Sequence, residues 1–220
     1  MRAVKHLGYS IVVPDHVADW LPPDHEETRI RDIIEHGDSR KLLIDVGAEH
    51  GWQSALYAKH GGWLMGLVEP TSPFWPNILR CWQENDLQYP AFCSQWGLGK
   101  RDMAGPGVTF RGWPLHACGP EVDAGPYWNP DVTTTLDRLA LVSGVQAISI
   151  DVEGAELDVL LGGGLTLGKR RPIVWVSVHP KMLKARGQSR EQVLAYMRQY
   201  DYSPTHLHTD HEEHWRFDPR

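Results

Sequence analysis

The feature that most constrains the fold of this chain is an alternation of apolar runs and amphipathic stretches that begins at residue 41. Strands are predicted at residues 42–46, 63–68, 91–95, 146–151 and 172–178. Helices are predicted at 52–59, 74–85, 133–141, 155–161 and 190–200. This order is typical of a mostly parallel, doubly wound sheet. We therefore predict a Rossmann-like α/β fold, closed by an antiparallel hairpin at 206–208 and 214–217.

The chain divides into a short N-terminal segment and one larger domain. Residues 1–40 predict a cap with a strand at Tyr9–Val13 and a helix around Glu26–Glu35. Residues 41–220 form the predicted domain. Within it, residues 97–131 are rich in Gly, Pro and Trp, and we predict an irregular insertion there that binds substrate.

Composition excludes several classes of partner. The formal net charge is −6 at pH 7, so the chain has no overall attraction for nucleic acid or for an anionic membrane. No apolar stretch is long enough to span a bilayer, and no signal peptide is apparent. The three cysteines lack a paired spacing. We therefore expect a cytoplasmic protein that binds neither nucleic acid nor membrane; the oligomeric state is left open.

The turn after the first strand of the domain is the predicted cofactor loop. Gly47 permits a sharp turn beside Ala48, and Gly51 lets the next helix begin close to the strand. Asp45 is placed to receive an ammonium group or to order water. The glycines are not spaced as Gly-x-Gly-x-x-Gly, and Glu49 would repel a pyrophosphate. These features favour a cofactor without phosphates, such as S-adenosylmethionine, over a generic strand–turn–helix.

Two further strand ends complete the predicted cofactor site. Glu69, followed by Pro70, ends the second strand at the offset where an acidic side chain binds both ribose hydroxyls. Gln95 and Trp96 follow the third strand, where we expect the adenine. Asp151, at the end of the fourth strand, is expected to lie near the reactive end of the cofactor.

Several linked motifs resemble the FkbM family of methyltransferases. They are Asp45-Val46-Gly47-Ala48, Val68-Glu69-Pro70, Thr135-Leu136-Asp137, Ile150-Asp151-Val152-Glu153-Gly154-Ala155-Glu156 and Arg171-Pro172-Ile173-Val174. The resemblance runs from about Tyr9 to Phe217. It implies a class I methyltransferase fold, S-adenosylmethionine as cofactor, and O-methylation of a hydroxyl on a sugar, glycan or natural product.

This sequence departs from the family pattern at two places. Glu49-His50 stands where the family often has Asn and an apolar residue. Ser177-Val178-His179 stands where the family often has Glu-x-His. The first departure affects contacts to the methionine tail of the cofactor. The second removes a carboxylate at the end of the fifth strand.

The candidate catalytic residues are Asp151, Glu153 and His179. The strands that precede them are expected to be neighbours, so that these side chains surround the transferred methyl group and the acceptor hydroxyl. His179 is a natural base near neutral pH. Alternatively, the three side chains bind a divalent metal such as Mn²⁺, or the acids only cap a helix.

The acceptor is predicted to be a small molecule or a glycan, bound by Tyr127, Trp128 and Asn129 in the insertion. The histidines of the C-terminal hairpin are expected to be exposed edge residues rather than metal ligands. Two other functions stay open on the same fold: a nucleotide-dependent oxidoreductase and a non-catalytic binding module.

Overall fold

The computed structural model describes residues 1–21, 27–102, 108–110 and 133–220. In chain order, the strands are β1 (Arg2–His6), β2 (Tyr9–Val13), β3 (Leu42–Val46), β4 (Leu64–Val68), β5 (Phe92–Ser94), β6 (Gly97–Leu98), β7 (Val108–Phe110), β8 (Thr133–Thr134), β9 (Ala147–Ile150), β10 (Ile173–Val178), β11 (Tyr202–Thr209) and β12 (Glu213–Pro219). The α-helices are α1 (Asp15–Trp20), α2 (Glu27–Glu35), α3 (Trp52–Gly61), α4 (Trp75–Glu84), α5 (Leu136–Ser143), α6 (Glu156–Leu161), α7 (Pro180–Ala185) and α8 (Arg190–Gln199).

Within the described residues, eight strands form one sheet in the order β11-β12-β10-β9-β3-β4-β5-β7. The five strands from β10 to β5 are parallel. At one edge β12 and β11 add an antiparallel hairpin, and at the other edge β7 pairs antiparallel with β5. The central strand β3 is buried along its whole length, as expected of a strand covered on both faces. The predicted Rossmann-like α/β fold with a C-terminal antiparallel hairpin is confirmed.

The structure differs from the predicted elements in a few short segments. The N-terminal strand pairs with an additional strand, β1, and a short helix, α1, follows the pair. The predicted irregular region contains β6 and β7, and residues 133–134 form a strand that pairs with β6 rather than the start of a helix. These strands are two or three residues long and are held by tertiary pairing, which local periodicity does not encode.

The N-terminal segment packs into the domain rather than beside it. Its side chains share one hydrophobic core with helices α3 and α4 on one face of the sheet. Ile30 and Ile33 of α2 and Val13 of β2 are fully buried there. A second core fills the opposite face, between the sheet and helices α5, α6 and α8. This shared core fixes the position of the N-terminal segment relative to the sheet.

Four parallel strands place their carboxyl ends side by side. Val46, Val68, Ile150 and Val178 end β3, β4, β9 and β10, and we call the edge they form the carboxyl edge. The predicted adjacency of the fourth and fifth strands is confirmed by the β9–β10 pairing. Among the described residues, no helix has the length and apolar character that crossing a membrane requires.

Candidate functional site

A cavity of about 680 Å³ opens at the carboxyl edge. This volume lies in the range typical of small-molecule and cofactor sites. Its lining comes from the loop after β3, the segment after β4, the short strand β6 and the segment after β9. The C-terminal hairpin contributes His211 and Glu212, and the N-terminal helix α1 contributes Trp20. The cavity therefore combines residues from nearly the whole chain.

The loop after β3 is held tightly against the neighbouring strand ends. The backbone N–H groups of Gly47 and Ala48 both donate to the carbonyl oxygen of Val68, at 2.9 and 3.1 Å. Gly47 has φ of 91°, and a Cβ at this position would lie 1.8 Å from the carbonyl oxygen of Asp151. Glycine is therefore required where the loop passes β9. Gly47, Ala48 and Glu49 line the cavity, as a cofactor loop should.

Glu69 is a buried carboxylate that faces this cavity. Its side chain accepts hydrogen bonds from the backbone N–H groups of Glu49 at 2.9 Å and Thr71 at 2.6 Å. The residue is 4% exposed. Burial raises the pKa of Glu69 to about 7, although the two N–H donors partly offset this rise. Pro70 lines the cavity beside it. The arrangement presents a fixed acceptor pair to a bound diol.

Four residues predicted to bind the cofactor lie outside the cavity lining: Asp45, Gly51, Gln95 and Trp96. Asp45 is buried and accepts a hydrogen bond from the hydroxyl of Ser54 in α3. As a residue inside a strand, it points to a face of the sheet rather than beyond the strand end. After Ser94 the chain turns, and Gly97 and Leu98 reach the lining instead of Gln95 and Trp96.

The three predicted catalytic residues do lie together. The Nε2 atom of His179 is 3.8 Å from Oδ1 of Asp151 and 3.5 Å from Oε2 of Glu153. Asp151 and Glu153 line the cavity, and Glu153 is exposed while His179 is buried. The residue at the N-cap position of α6 is Ala155, so neither acid occupies the capping position that the alternative interpretation requires.

Two further carboxylates, both buried, contact His179. Its Nδ1 atom lies 2.7 Å from Oε1 of Glu156, and its Nε2 atom lies 2.6 Å from Oε2 of Glu212. We call Asp151, Glu153, His179, Glu156 and Glu212 the His179 cluster. Burial lowers the pKa of the imidazole, but the neighbouring carboxylates outweigh this effect and raise it to about 11. With no cation at the cluster the carboxylates favour the protonated ring, which cannot accept a proton from an acceptor hydroxyl.

Arg29 lies on helix α2, which packs on one face of the sheet, and its side chain contacts Asp151 of the cluster. Its guanidinium lies 3.2 Å from Oδ2 of Asp151 and donates to Ser177 and Gln53, each at 2.6 Å. The residue is 1% exposed. A buried guanidinium in this position fixes the Asp151 carboxylate and leaves its other oxygen directed towards His179.

Sequence reasoning missed Arg29, Glu156 and Glu212 as site residues. Glu156 belongs to the recognised Glu-Gly-Ala-Glu motif, so the motif offered a signal for it. Arg29 and Glu212 come from the N-terminal helix and the turn of the C-terminal hairpin, and no spacing pattern links them to β9. The predicted acceptor residues Tyr127, Trp128 and Asn129 lie outside the described residues.

Comparison with known proteins supports the sequence resemblance. Residues 129–204 match the sequence profile of the methyltransferase FkbM domain, which includes β9, the Asp151–Glu156 motif and β10. The predicted resemblance to the FkbM family is confirmed. A search of curated proteins finds no significant match.

The solved structures that share this fold include the following three. Methyltransferase FkbM from Methylobacillus flagellatus KT is 15% identical, with a TM-score of 0.56 over 80% of this chain and 43% of that protein. An O-methyltransferase family protein from Burkholderia thailandensis is 9% identical, with a TM-score of 0.53 over 89% of this chain and 56% of the other. Precorrin-6y C5,15-methyltransferase from Geobacter metallireducens GS-15 is 5% identical, with a TM-score of 0.52 over 96% of this chain and 94% of that chain.

These likenesses establish the class I methyltransferase fold. This chain spans less than half of the Methylobacillus flagellatus protein. The names of the similar structures include an O-methyltransferase family protein and a methyltransferase named for positions C5 and C15, so the fold does not select the acceptor atom.

Proposed function

We propose that this chain, which carries the FkbM methyltransferase pattern on a class I methyltransferase fold, is an S-adenosylmethionine-dependent O-methyltransferase. Its acceptor is a hydroxyl group on a small natural product, a sugar or a glycan. The observation that carries the proposal is one cavity that joins the Gly47–Ala48 loop, the buried Glu69 carboxylate and the Asp151–Glu153 segment. S-adenosylmethionine requires an acidic side chain for its ribose, a loop whose backbone can contact its methionine tail, and polar groups beside its methyl group.

The charge of the cavity favours this cofactor over a dinucleotide. Acidic side chains line it at five positions: Glu49, Glu69, Asp151, Glu153 and Glu212. A pyrophosphate placed among them would be repelled, whereas a sulfonium and an ammonium group are attracted. Among the described residues, the lining contains no glycine turn of the dinucleotide type. This arrangement argues against the nucleotide-dependent oxidoreductase.

Each cofactor-binding residue has an expected partner. We assign Glu69 to the two ribose hydroxyls, because its carboxylate is fixed by two backbone N–H donors and faces the cavity. Gly47 and Ala48 lie against the methionine tail. Phe74 and Leu98 line the cavity on the side of β4 and β6 and provide apolar contacts for the adenine. Asp45 and Gly51 position the loop without lining the cavity. Asp45 accepts a hydrogen bond from Ser54 of α3, and Gly51 is the N-cap residue of that helix.

The His179 cluster is assigned to the acceptor. S-adenosylmethionine supplies an electrophilic methyl group on its sulfonium. Asp151 and Glu153 lie where the acceptor hydroxyl approaches, and the exposed Glu153 carboxylate is positioned to receive its proton. His179 holds the carboxylates in place through its contacts with Glu156 and Glu212. Trp20 offers an aromatic surface at the cavity for a ring or sugar, and it adds to the acceptor residues 127–129 that the sequence predicts.

The proposal is tested by calorimetric titration with S-adenosylhomocysteine, S-adenosylmethionine and NAD. We expect the first two to bind and NAD not to bind. Glu69→Ala should weaken S-adenosylhomocysteine binding by about 1.5–3 kcal/mol, the value of a hydrogen bond to a charged group. Glu191→Ala, which removes an exposed carboxylate on α8, is the matched control and should bind as the unmodified chain does.

The other outcomes separate the competing functions. Binding of NAD alone would support an oxidoreductase. Binding of none of the three would support a non-catalytic module. Equal affinity in Glu69→Ala and Glu191→Ala would remove Glu69 from the cofactor site.

A further inference from the structure

We propose that Asp151, His179 and Glu212 form a binding site for a divalent cation of the Mn²⁺ type. Each residue offers one ligand atom, and these atoms all lie within 4.8 Å of one another. The predicted metal set contained Glu153 in place of Glu212. Glu153 is exposed, whereas Glu212 is 2% exposed and closer to the imidazole.

The environment of His179 is that of a metal-ligating histidine. In such sites one ring nitrogen binds the metal while the other donates to a carboxylate that fixes the ring. Here Nδ1 faces Glu156 at 2.7 Å, and the same Glu156 oxygen accepts a hydrogen bond from the backbone of Gly154 at 2.8 Å. The Nε2 atom is therefore directed at Asp151 and Glu212, and a cation that binds between them displaces the proton from Nε2.

Glu212 provides an independent reason to expect a ligand. Its Oε2 atom is buried, accepts no aligned hydrogen bond from the part of the chain that the structure describes, and lies 2.6 Å from His179 Nε2 as an ion pair. A buried carboxylate oxygen without an aligned donor carries a large desolvation cost. A cation between Glu212 and the other two ligands would satisfy that oxygen directly.

The geometry accommodates the ion with a small movement. Metal–ligand bonds of 2.0–2.2 Å place adjacent ligand atoms about 3 Å apart. The Glu212–His179 contact must therefore widen by about 0.4 Å, and Asp151 must move inward from 3.8 Å. Arg29 holds the other oxygen of Asp151 and so presents Oδ1 to the site. One imidazole with carboxylate oxygens suits Mn²⁺ better than Mg²⁺.

Two of the three ligands, Asp151 and Glu212, also line the cavity. A bound ion would thus have open positions facing the acceptor side, where it would acidify a coordinated hydroxyl. This role rests on the proposed function, but binding of the ion does not. The cation site and the cofactor site are therefore measured separately.

The test is a titration of the full chain with Mn²⁺ alone, with free Mn²⁺ followed by electron paramagnetic resonance. We expect one tightly bound ion per chain. Glu212→Gln and Asp151→Asn should each weaken binding at least about tenfold. Glu191→Gln is the control on an exposed surface and should bind as the unmodified chain does. Circular dichroism and S-adenosylhomocysteine titration show whether each variant is folded.

The same experiment covers the neighbouring group Asp210, Glu212 and His214, which shares Glu212. Asp210→Asn should leave Mn²⁺ affinity within about twofold. Absence of binding at millimolar Mn²⁺ in a chain that binds S-adenosylhomocysteine would overturn the proposal. The proposal would also be overturned if Asp210→Asn lost Mn²⁺ binding while Asp151→Asn bound Mn²⁺ as the unmodified chain does. Binding of Mn²⁺ without S-adenosylhomocysteine would support the cation site and refute the proposed function.

Discussion

Ionisation of Glu69 should make cofactor affinity depend on pH in the neutral range. The pKa of this buried carboxyl is raised to about 7 because burial disfavours its charge. About one tenth of the side chains are then ionised at pH 6 and about nine tenths at pH 8. If the ribose hydroxyls bind the carboxylate form, the apparent affinity scales with that fraction. S-adenosylhomocysteine should therefore bind about tenfold more tightly at pH 8, a difference of about 1.4 kcal/mol.

The assay is calorimetric titration at half-unit steps from pH 5.5 to 8.5, in buffers of different ionisation enthalpy. Proton release on binding should approach one proton per chain at pH 5.5 and should fall to about one tenth of a proton at pH 8. Glu69→Gln has no titrating group at this position and should give a flat, weaker profile. If affinity changed with pH equally in Glu69→Gln and in the unmodified chain, some other group would be titrating. If the affinity of the unmodified chain did not change with pH, the reasoning would be refuted.

The same pKa predicts how the stability of the cofactor-free chain changes with pH. The carboxyl has a higher pKa in the folded chain than the ordinary value of 4.5, so its contribution to stability is complete below pH 4.5. That contribution is lost as the pH rises to about 7. The melting temperature of Glu69→Gln relative to the unmodified chain should therefore increase between pH 5 and pH 8, measured by differential scanning calorimetry.

Three further predictions concern the frame around the cavity. Gly47→Ala should destabilise the fold by more than about 3 kcal/mol, because its Cβ would overlap the carbonyl of Asp151. Gly144→Ala is the matched control, with positive φ but nothing within 4 Å of a Cβ, and should cost only about 1–2 kcal/mol in urea unfolding. Arg29→Met should cost about 3 kcal/mol because it removes the buried guanidinium that pairs with Asp151, and a loss below about 1 kcal/mol would contradict the ion pair. Glu153→Gln should lower turnover with a true acceptor at unchanged S-adenosylhomocysteine affinity; full activity would exclude Glu153 as proton acceptor.

The parallel sheet was predictable because its strands carry strong local signals. Strands β3, β9 and β10 are largely apolar, with one polar residue each, and the polar residues that follow them mark the carboxyl edge. Glu69 and Asp151 were found in this way. Asp45 illustrates the limit of the same reasoning. It lies one residue before the end of β3. Because side chains alternate between the two faces of a strand, its side chain points towards α3 and not into the cavity.

The rest of the site depends on contacts that no local pattern encodes. Arg29 enters from a helix that packs on one face of the sheet, and Glu212 enters from a hairpin turn beyond its edge. In the sequence, Glu212 stands among histidines that attract attention as metal ligands, yet the buried carboxylate faces His179. Where such side chains converge is decided by strand order and helix packing, which sequence periodicity constrains only in part.

The convergence of early and late segments at one edge has a consequence for how the protein is made. Arg29 hydrogen-bonds to Ser177 across 148 residues, and Asp32 pairs with Arg216 across 184 residues. During synthesis, helix α2 emerges long before these partners do. Until β10 is made, the guanidinium of Arg29 lacks its contact with Ser177, and until β12 is made, the carboxylate of Asp32 lacks its contact with Arg216. The second hydrophobic core also contains Val176 and Phe217, so neither this core nor the site is complete before β12 is made. Competence for ligand binding should therefore appear late in translation, and abruptly.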